Sequence, residues 1–349
     1  MFSQIDSQIV RTWRQYSVEP KLAKLTGRVL RATGPRIAVA GNCQAFGIAY
    51  AMKLLDISAT VDHFPLVARS RARFDLFVKT LDTYDYVFAH PFLDHFVPGG
   101  DSEELAKRLG AKVIPFPAIT FAAFHPDFVF LLQDAKGHSA LFGPVGPYHS
   151  ALGLFAYRKG LTVEEANALF HGDVFEALGY YRLWNDALRE LLAYTANFDL
   201  DISQDVLNWS RRGIFMYSNV HPRPFVLGDL ARILFKRAGL KAAPVNMDDL
   251  FIHDLARGEI MPVYPEIAKK YGAVGGYTFK LVHHHLSKGV GDFLNLPQYL
   301  ASCYKIYGGS RTDQLHNPRV ESWLADAATS EMLVEMAREN RKKGLMPVQ

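Results

Sequence analysis

The sequence contains only two cysteines, Cys43 and Cys303, in 349 residues. This number excludes a small secreted scaffold held together by disulfide bonds, because such scaffolds need several cysteine pairs. Long apolar runs are also scarce. The uncharged stretch over residues 113–126 contains three prolines, whereas a membrane span needs about 20 unbroken apolar residues. The N-terminal MFSQIDSQIV has no apolar signal segment, so we expect a soluble, cytoplasmic protein.

Glycine-rich phosphate-binding motifs are absent as well. Neither G-x-G-x-x-G nor G-x-x-x-x-G-K-[ST] occurs, so the sequence gives no support for a dinucleotide site or a P-loop. A strong excess of charge is also missing, since the net charge is only +4. Residues 1–36 carry a balance of +5 and the remaining residues −1, and this nearly neutral remainder argues against an extended nucleic-acid surface.

The basic N-terminal arm, residues 1–35, has an amphipathic pattern. Its apolar side chains recur at helical spacing and are Phe2, Ile5, Ile9, Trp13 and Tyr16. This pattern predicts a helix packed on the fold with its charges in solvent. The alternative is a peripheral contact with an anionic membrane or with an acidic partner in an assembly complex.

From residue 36 onward, short apolar runs alternate with helical patterns. Strands are predicted over residues 37–40, 61–64, 85–89 and 112–115, and helices over residues 45–55, 72–84 and 102–109. Such alternation with short connections is typical of a parallel sheet covered by helices on both faces. In these sheets, ligands bind beyond the carboxyl ends of the strands. We therefore expect an α/β unit over residues 36–145.

Strand signals nearly stop after residue 145. Helices are predicted over residues 152–159, 162–170, 174–194, 225–238, 292–307 and 320–342. Thr162 and Glu165 form a capping-box signature at the start of the second of these helices. The predicted fold is an N-terminal parallel-sheet α/β unit with a large, mainly α-helical part over residues 146–349 packed on it.

The turn from the first strand into the first helix carries the strongest chemical signal. It reads Gly41-Asn42-Cys43-Gln44. Backbone N–H groups and the helix dipole favour negative charge at a helix start, so we expect a lowered pKa for the Cys43 thiol and a reactive thiolate. Asn42 and Gln44 carry amide donors suited to an oxyanion, and Gly41 permits a tight turn. The alternative is that Cys43 is a small buried residue.

A thiol nucleophile needs a base, and histidine is the usual one. His221 lies in a polar stretch before a proline, and His125 follows the fourth predicted strand with Asp127 nearby as an orienting group. A third polar cluster, Tyr148-His149-Ser150, follows a loop rich in glycine and proline. Each histidine has a structural role as its alternative, and the residues by themselves leave the choice open.

Three further patterns carry weaker signals. His283, His284 and His285 resemble metal ligands, but adjacent side chains point in different directions, so no metal site is predicted. Asp313 and His316 have the D-x-x-H spacing of SGNH-type esterases and give an alternative base pair. Three arginines after the second strand are suited to hold phosphate, with a solvated helix start as the alternative. They are Arg69, Arg71 and Arg73.

Together, these segments resemble the WcbI-type family of capsule-polysaccharide biosynthesis acetyltransferases. The resemblance rests on residues 37–55, 113–127, 148–170, 179–191 and 218–222, in matching order, with the GNCQ turn as the most specific piece. It implies binding of coenzyme A and transfer of an acetyl group from acetyl-CoA to a sugar hydroxyl, at a site around Asn42, Cys43 and Gln44. Residues 241–349 carry no part of the resemblance.

The preferred hypothesis is therefore an acetyl-CoA-dependent acyltransferase. Cys43 takes the acetyl group as a thioester and His221 acts as the base; in a direct variant, His221 or His125 activates the sugar hydroxyl. The coenzyme is expected to contact six residues, which are Gly41, Arg69, Arg71, Tyr148, His149 and Ser150. A cysteine-dependent esterase or thioesterase is the second hypothesis, because only the acceptor changes, from sugar to water. A sugar- or nucleotide-binding protein without catalysis is the third.

Overall fold

The computed structural model describes residues 3–26, 34–132, 140–251, 254–281, 293–345 and 347. The chain divides into two compact units whose segments alternate along the sequence. The first unit consists of Met1–Ile119, Leu192–Trp209 and Pro222–Leu255. The second consists of Thr120–Leu191, Ser210–His221 and Ala256–Gln349. The predicted fold class, a parallel-sheet α/β unit with a mainly helical remainder, is confirmed.

The first unit is built on a four-stranded parallel sheet. Its strands are β1 (Arg36–Gly41), β2 (Thr60–Pro65), β3 (Tyr86–Ala89) and β4 (Val113–Pro115), in the order β2-β1-β3-β4. Every pairing in it is parallel. From Ile37 to Gly41 the central strand is buried, as expected for an apolar strand covered on both faces. The four predicted strands are thus confirmed to within a residue or two.

Helices cover this sheet and connect its strands. They are α3 (Cys43–Leu55), α4 (Phe74–Leu81) and α5 (Ser102–Leu109), and a further helix, α11 (Pro224–Arg237), packs on α3. Helix α11 approaches α3 at Gly47, where an added Cβ would lie 2.4 Å from Cδ1 of Leu227. This packing brings residues after 222 into the first unit. The units therefore alternate along the chain and differ from the consecutive segments 1–35, 36–145 and 146–349.

The N-terminal arm is part of the first unit. It comprises α1 (Gln4–Trp13), a π-helical turn (Arg14–Val18) and α2 (Glu19–Thr26). Ile5 and Ile9 of α1 are buried in the apolar cluster of the sheet, so the predicted packed helix is confirmed. Its basic side chains Arg11, Arg14, Lys21 and Lys24 are exposed.

Asp6 fixes the arm to the loop between β2 and α4. Its carboxylate accepts hydrogen bonds from the Ser70 hydroxyl at 2.6 Å and from the Arg71 backbone N–H at 3.0 Å. Burial raises the pKa of Asp6, but the hydrogen bonds from Ser70, Ser3, Arg71 and Ala72 outweigh it and lower the pKa to about 2. The folded arm therefore stabilises the ionised form of the Asp6 carboxyl.

We expect the substitution Asp6→Asn to lower the free energy of unfolding by roughly 1–2 kcal/mol at neutral pH. Because the folded pKa of Asp6 is below that of the unfolded chain, this contribution is complete above about pH 4 and is lost as the pH falls toward 2. Denaturant unfolding of both proteins at pH 7, 4 and 3 measures the difference. A difference that stays constant over this range would contradict the assignment.

The second unit is mainly helical. It contains the antiparallel pair β5 (Phe128–Phe130) and β6 (Tyr148–Ser150). Its helices α6, α7, α8, α12, α13, α14 and α15 span Ala151–Arg158, Val163–Asn167, Gly172–Ala177, Pro265–Lys270, Leu296–Gly308, Pro318–Ala325 and Ala327–Lys342. It also contains the short strands β7 (Met216–Ser218), β9 (Phe279–Lys280) and β10 (Phe293–Leu294), whereas β8 (His221–Pro222) has one residue in each unit. Helices α9 (Leu183–Ala196) and α10 (Ser203–Arg211) have residues in both units.

Two long predicted helices are interrupted in the structure. The pattern over residues 174–194 contains Gly179, which adopts a φ of 72° and separates α8 from α9. The pattern over residues 320–342 breaks at Asp326, which ends α14 and caps α15 through Thr329. In each case a local capping or turn residue overrides a continuous apolar spacing. None of the helices in the described part of the chain has the length and apolar character that a membrane span requires.

Candidate active site

The GNCQ turn forms the start of α3 at the carboxyl end of β1. Asn42 is the N-cap residue, and its Oδ1 accepts a hydrogen bond of 2.9 Å from the Gln44 backbone N–H. Asparagine is a favoured N-cap because its side chain pairs with N–H groups that lack a partner within the helix. Cys43 is the first helical residue and is partly exposed. The predicted thiol at a strand-to-helix turn is confirmed in its position.

Gln44 attaches this turn to the segment that follows β4. Its Nε2 donates to the Ile119 carbonyl at 2.9 Å, and its Oε1 accepts from the Ile119 N–H at 3.0 Å. The side chain is 1% exposed. This reciprocal pair fixes the start of α3 against residues 116–119. An oxyanion contact from Gln44 or Asn42 stays a prediction.

His90 completes the same edge of the sheet and was missed by sequence reasoning. It directly follows β3, and its backbone N–H donates to the Ala40 carbonyl at 2.9 Å. Its Nδ1 lies 3.1 Å from the Phe116 carbonyl oxygen, and its ring packs on Phe116 with centroids 4.1 Å apart. Burial lowers the pKa of His90 to about 3, although the Phe116 carbonyl opposes the shift. His90 is therefore neutral at physiological pH.

The signal for His90 was its place directly after the third apolar run. Side chains at that place lie at the carboxyl edge of a parallel sheet, where ligands bind. Histidines in polar loops were the predicted bases, whereas His90 stands between an apolar strand and Pro91. Strand order then decides its neighbours, because β3 pairs with β1 and not with β2.

The three arginines lie in the loop between β2 and α4 of the first unit. Arg69, Arg71 and Arg73 are all exposed, and Arg73 is the N-cap residue of α4. The backbone of this loop is held by Asp6 of the N-terminal arm. Their predicted contact with phosphate groups stays a prediction.

In the second unit, His221 is paired with a glutamate. Its Nδ1 lies 3.5 Å from Oε2 of Glu259, and both side chains are largely buried. Burial lowers the pKa of His221, and the negative charge of Glu259 opposes this shift. A carboxylate beside one ring nitrogen orients an imidazole for proton transfer at the other. Glu259 was missed because nothing near His221 in the sequence points to it.

His125 and Asp127 are buried in the second unit. Nδ1 of His125 lies 3.4 Å from the Pro262 carbonyl oxygen. The Asp127 carboxylate accepts hydrogen bonds from the Tyr264 hydroxyl at 2.7 Å, the Leu152 N–H at 3.0 Å and the Tyr180 hydroxyl at 3.1 Å. This network gives Asp127 a structural role, and its orienting role toward His125 stays a prediction.

The Tyr148-His149-Ser150 cluster is also inside the second unit. His149 is fully buried, with Nδ1 3.0 Å from the Tyr307 hydroxyl and Nε2 2.9 Å from the Leu141 carbonyl oxygen. Ser150 caps α6 by accepting from the Gly153 N–H at 2.9 Å. These partners give the cluster a clear role in packing, and its contact with coenzyme A stays a prediction.

The remaining candidates are the pair Asp313 and His316 and the triple histidine. Asp313 pairs with Arg311 at 3.0 Å, and the exposed His316 lies 3.3 Å from Glu321, so this segment forms no aspartate–histidine pair of the esterase type. The triple histidine, residues 283–285, lies outside the described residues. Among the residues that the structure describes, no group of three histidine, cysteine or acidic side chains is placed to hold a metal ion.

The structure brings Asn42, Cys43, Gln44 and His90 to one edge of the sheet in the first unit. The histidines predicted as bases, His125 and His221, belong to the second unit. The pairing of Cys43 with either of them stays a prediction.

Comparison with known proteins agrees with this fold. The sequence model of the polysaccharide biosynthesis enzyme WcbI matches residues 36–243. A solved structure of WcbI, described as a novel polysaccharide biosynthesis enzyme, is similar over 87% of this chain and 99% of its own, with a TM-score of 0.60 and 13% sequence identity. No curated protein matches the chain. Because the family match covers more than half of the sequence and includes the GNCQ turn, the chain belongs to the WcbI family of polysaccharide biosynthesis enzymes.

Proposed function

We propose that this protein transfers an acetyl group from acetyl-CoA to a sugar hydroxyl of a capsular or surface polysaccharide precursor. The observation that carries the proposal is the Cys43 thiol in the first turn of α3, next to the Asn42 cap. A helix start stabilises the thiolate that nucleophilic catalysis requires. Family membership adds the polysaccharide context.

The similar protein of known structure is the reason for proposing coenzyme A as the ligand. The WcbI structure is described as native protein without a disulfide bond between coenzyme A and a cysteine of that protein. We extend coenzyme binding to this chain as part of the proposal. The exposed arginines Arg69 and Arg71 follow β2 in the first unit and have guanidinium groups suited to the phosphates of the coenzyme.

Two displacements at carbonyl carbon complete the transfer. The Cys43 thiolate attacks the carbonyl carbon of the acetyl group. The bond between that carbon and the coenzyme sulfur then breaks, and the coenzyme leaves as a thiol after its sulfur has taken up a proton. The sugar hydroxyl then attacks the Cys43 thioester, loses its proton to a base and releases the thiolate. Backbone N–H groups at the start of α3 and the Asn42 amide are suited to stabilise both tetrahedral oxyanions.

Thermal melting of the full chain with coenzyme A tests the donor site. A ligand at about 100 times its dissociation constant adds about 2.7 kcal/mol to the free energy of unfolding. We therefore expect the melting temperature to rise by a few degrees with coenzyme A and to stay unchanged with adenosine. No shift at millimolar coenzyme A would contradict the proposal.

An oxidation experiment tests whether coenzyme A binds next to Cys43. Diamide treatment with coenzyme A should form a mixed disulfide at Cys43, detected by peptide mass. Cys303 is the internal control, since it is 1% exposed and burial raises its pKa to about 12. Equal modification of both cysteines would count against a specific site. Turnover of simple esters without coenzyme A would instead favour a hydrolase.

A further inference from the structure

We propose that Nε2 of His90 is the base that accepts the proton of the Cys43 thiol. The inference rests on the proposed function for the role of Cys43 and adds a residue to that site. His90 belongs to the first unit, as Cys43 does, and is not one of the histidines predicted as bases from the sequence. Three observations support it: the position of the ring, the state of its two nitrogens and the contrast with a second histidine of the same unit.

The ring of His90 lies against the backbone that leads into the GNCQ turn. The β1–β3 register pairs Ala40 with Ala89, so His90 is level with Gly41. A Cβ added at Gly41 would lie only 2.5 Å from Cδ2 of His90. Cδ2 is bonded to Nε2 in the imidazole ring, so Nε2 is one bond away from the ring atom nearest Gly41. A glycine is required here because the ring occupies the space of any side chain.

Strand alternation places His90 on the face that α3 covers. Val87 and Ala89 belong to the apolar cluster that contains Ile5 and Ile9, and no residue of α3 is in that cluster. Successive side chains of a strand point to opposite faces. His90 therefore points to the face opposite the cluster. Helix α3, which packs on β1 and β2, begins on that face with Cys43.

The hydrogen bond of Nδ1 determines what Nε2 can do. A carbonyl oxygen accepts only, so Nδ1 carries the ring hydrogen toward the Phe116 oxygen at 3.1 Å. Nε2 then has a lone pair, and it is a buried atom without a hydrogen-bond partner among the described residues. His90 as a whole is 2% exposed. Buried acceptors without a partner are rare in folded proteins, and this one lies at the edge of the sheet where the reactive turn begins.

The proton transfer leaves two opposite charges at the turn. The S–H bond of Cys43 breaks, the proton binds Nε2, and the result is a thiolate beside an imidazolium. Burial disfavours the imidazolium by itself, as the lowered pKa of His90 indicates. The negative charge of the Cys43 thiolate offsets that cost, and the N-terminus of α3 stabilises the thiolate in turn.

His63 provides a matched control in the same unit. It is a half-buried histidine whose Nε2 is a buried atom without a hydrogen-bond partner among the described residues, and burial lowers its pKa to about 4. Its register partner is Val39, two residues before the end of β1, and its ring contacts Phe46. Both histidines thus have a buried Nε2 and a pKa lowered by burial, but His90 is the one that lies against Gly41.

The rate of Cys43 alkylation by iodoacetamide at pH 7 tests the proposal. His90→Asn keeps a side-chain donor for the Phe116 oxygen and removes the Nε2 acceptor. We expect it to slow alkylation by at least about tenfold, while His63→Asn stays within about twofold of the wild type. Equal rates in all three proteins, or equal slowing in both variants, would overturn the proposal.

If the His90→Asn protein does not fold, a measurement on the wild-type protein still tests the proposal. In wild-type protein with ¹⁵N-labelled histidine, alkylation of Cys43 should shift the Nε2 resonance of His90 and leave that of His63 unchanged. An unchanged His90 resonance would overturn the proposal. Neither measurement uses coenzyme A, so a protein that does not bind coenzyme A would contradict the proposed function without affecting this result.

Discussion

The substitution Cys43→Ser should reduce acetyl transfer by at least about a thousandfold and leave coenzyme A binding intact. A serine hydroxyl is almost fully protonated at neutral pH, so the helix start no longer supplies a thiolate. The exchange preserves the size of the side chain, and the Asn42 cap and the Gln44–Ile119 pair do not depend on the sulfur. Release of the coenzyme A thiol with sugar acceptors measures transfer, and thermal melting measures binding.

Cys303→Ala is the control for this experiment. Cys303 is buried in α13 of the second unit, and no step of the mechanism uses it. We expect this variant to retain its transfer rate after correction for the folded fraction. If Cys43→Ser transfers acetyl groups at a rate near that of the wild type, the covalent step is wrong. The sugar hydroxyl would then attack acetyl-CoA directly.

The substitution Asp127→Ala should destabilise the protein by about 3–5 kcal/mol. The carboxylate is fully buried, and the pKa of Asp127 is raised by burial although four hydrogen bonds oppose the shift. Removing it leaves the hydroxyls of Tyr180 and Tyr264 and the Leu152 N–H without their acceptor. Buried donors without an acceptor are more costly than the loss of one average hydrogen bond.

Urea unfolding of the full chain measures this effect. Asp127→Asn is the first control, because its amide oxygen still accepts from some of these donors, and its loss should be smaller. Asp313→Ala is the second control, since Asp313 is exposed and pairs with an exposed arginine; exposed ion pairs contribute little to the free energy of unfolding. A loss below about 1 kcal/mol for Asp127→Ala would show that the network does not hold the second unit together.

Local patterns in the sequence predicted the elements of the first unit well. The apolar run over residues 37–40 became the buried centre of β1, and the helix pattern over residues 45–55 became most of α3. The capping box at Thr162 and Glu165 is also present. These features depend on neighbours within four residues along the chain, so their physics is contained in the sequence itself.

Local sequence patterns were not sufficient to predict which residues form the site. Sequence reasoning placed Cys43 at a helix start, yet it predicted an oxyanion role for Gln44 and did not consider His90. Both residues have their partners in the segment after β4, through Ile119 and Phe116. That segment approaches them only because the sheet is ordered β2-β1-β3-β4. A strand order is set by packing over the whole unit, and periodicity does not reveal it.

The sequence by itself determined the parallel-sheet fold class, the position of the thiol at the start of α3 and membership of the family. Each follows from residue spacing, turn chemistry or the order of segments within the chain. Only the tertiary structure decided which side chains meet: Asp127 with two tyrosines, His221 with Glu259, and His90 with Gly41. These contacts join residues far apart in sequence, and their free energy depends on distances that exist only once the chain is folded.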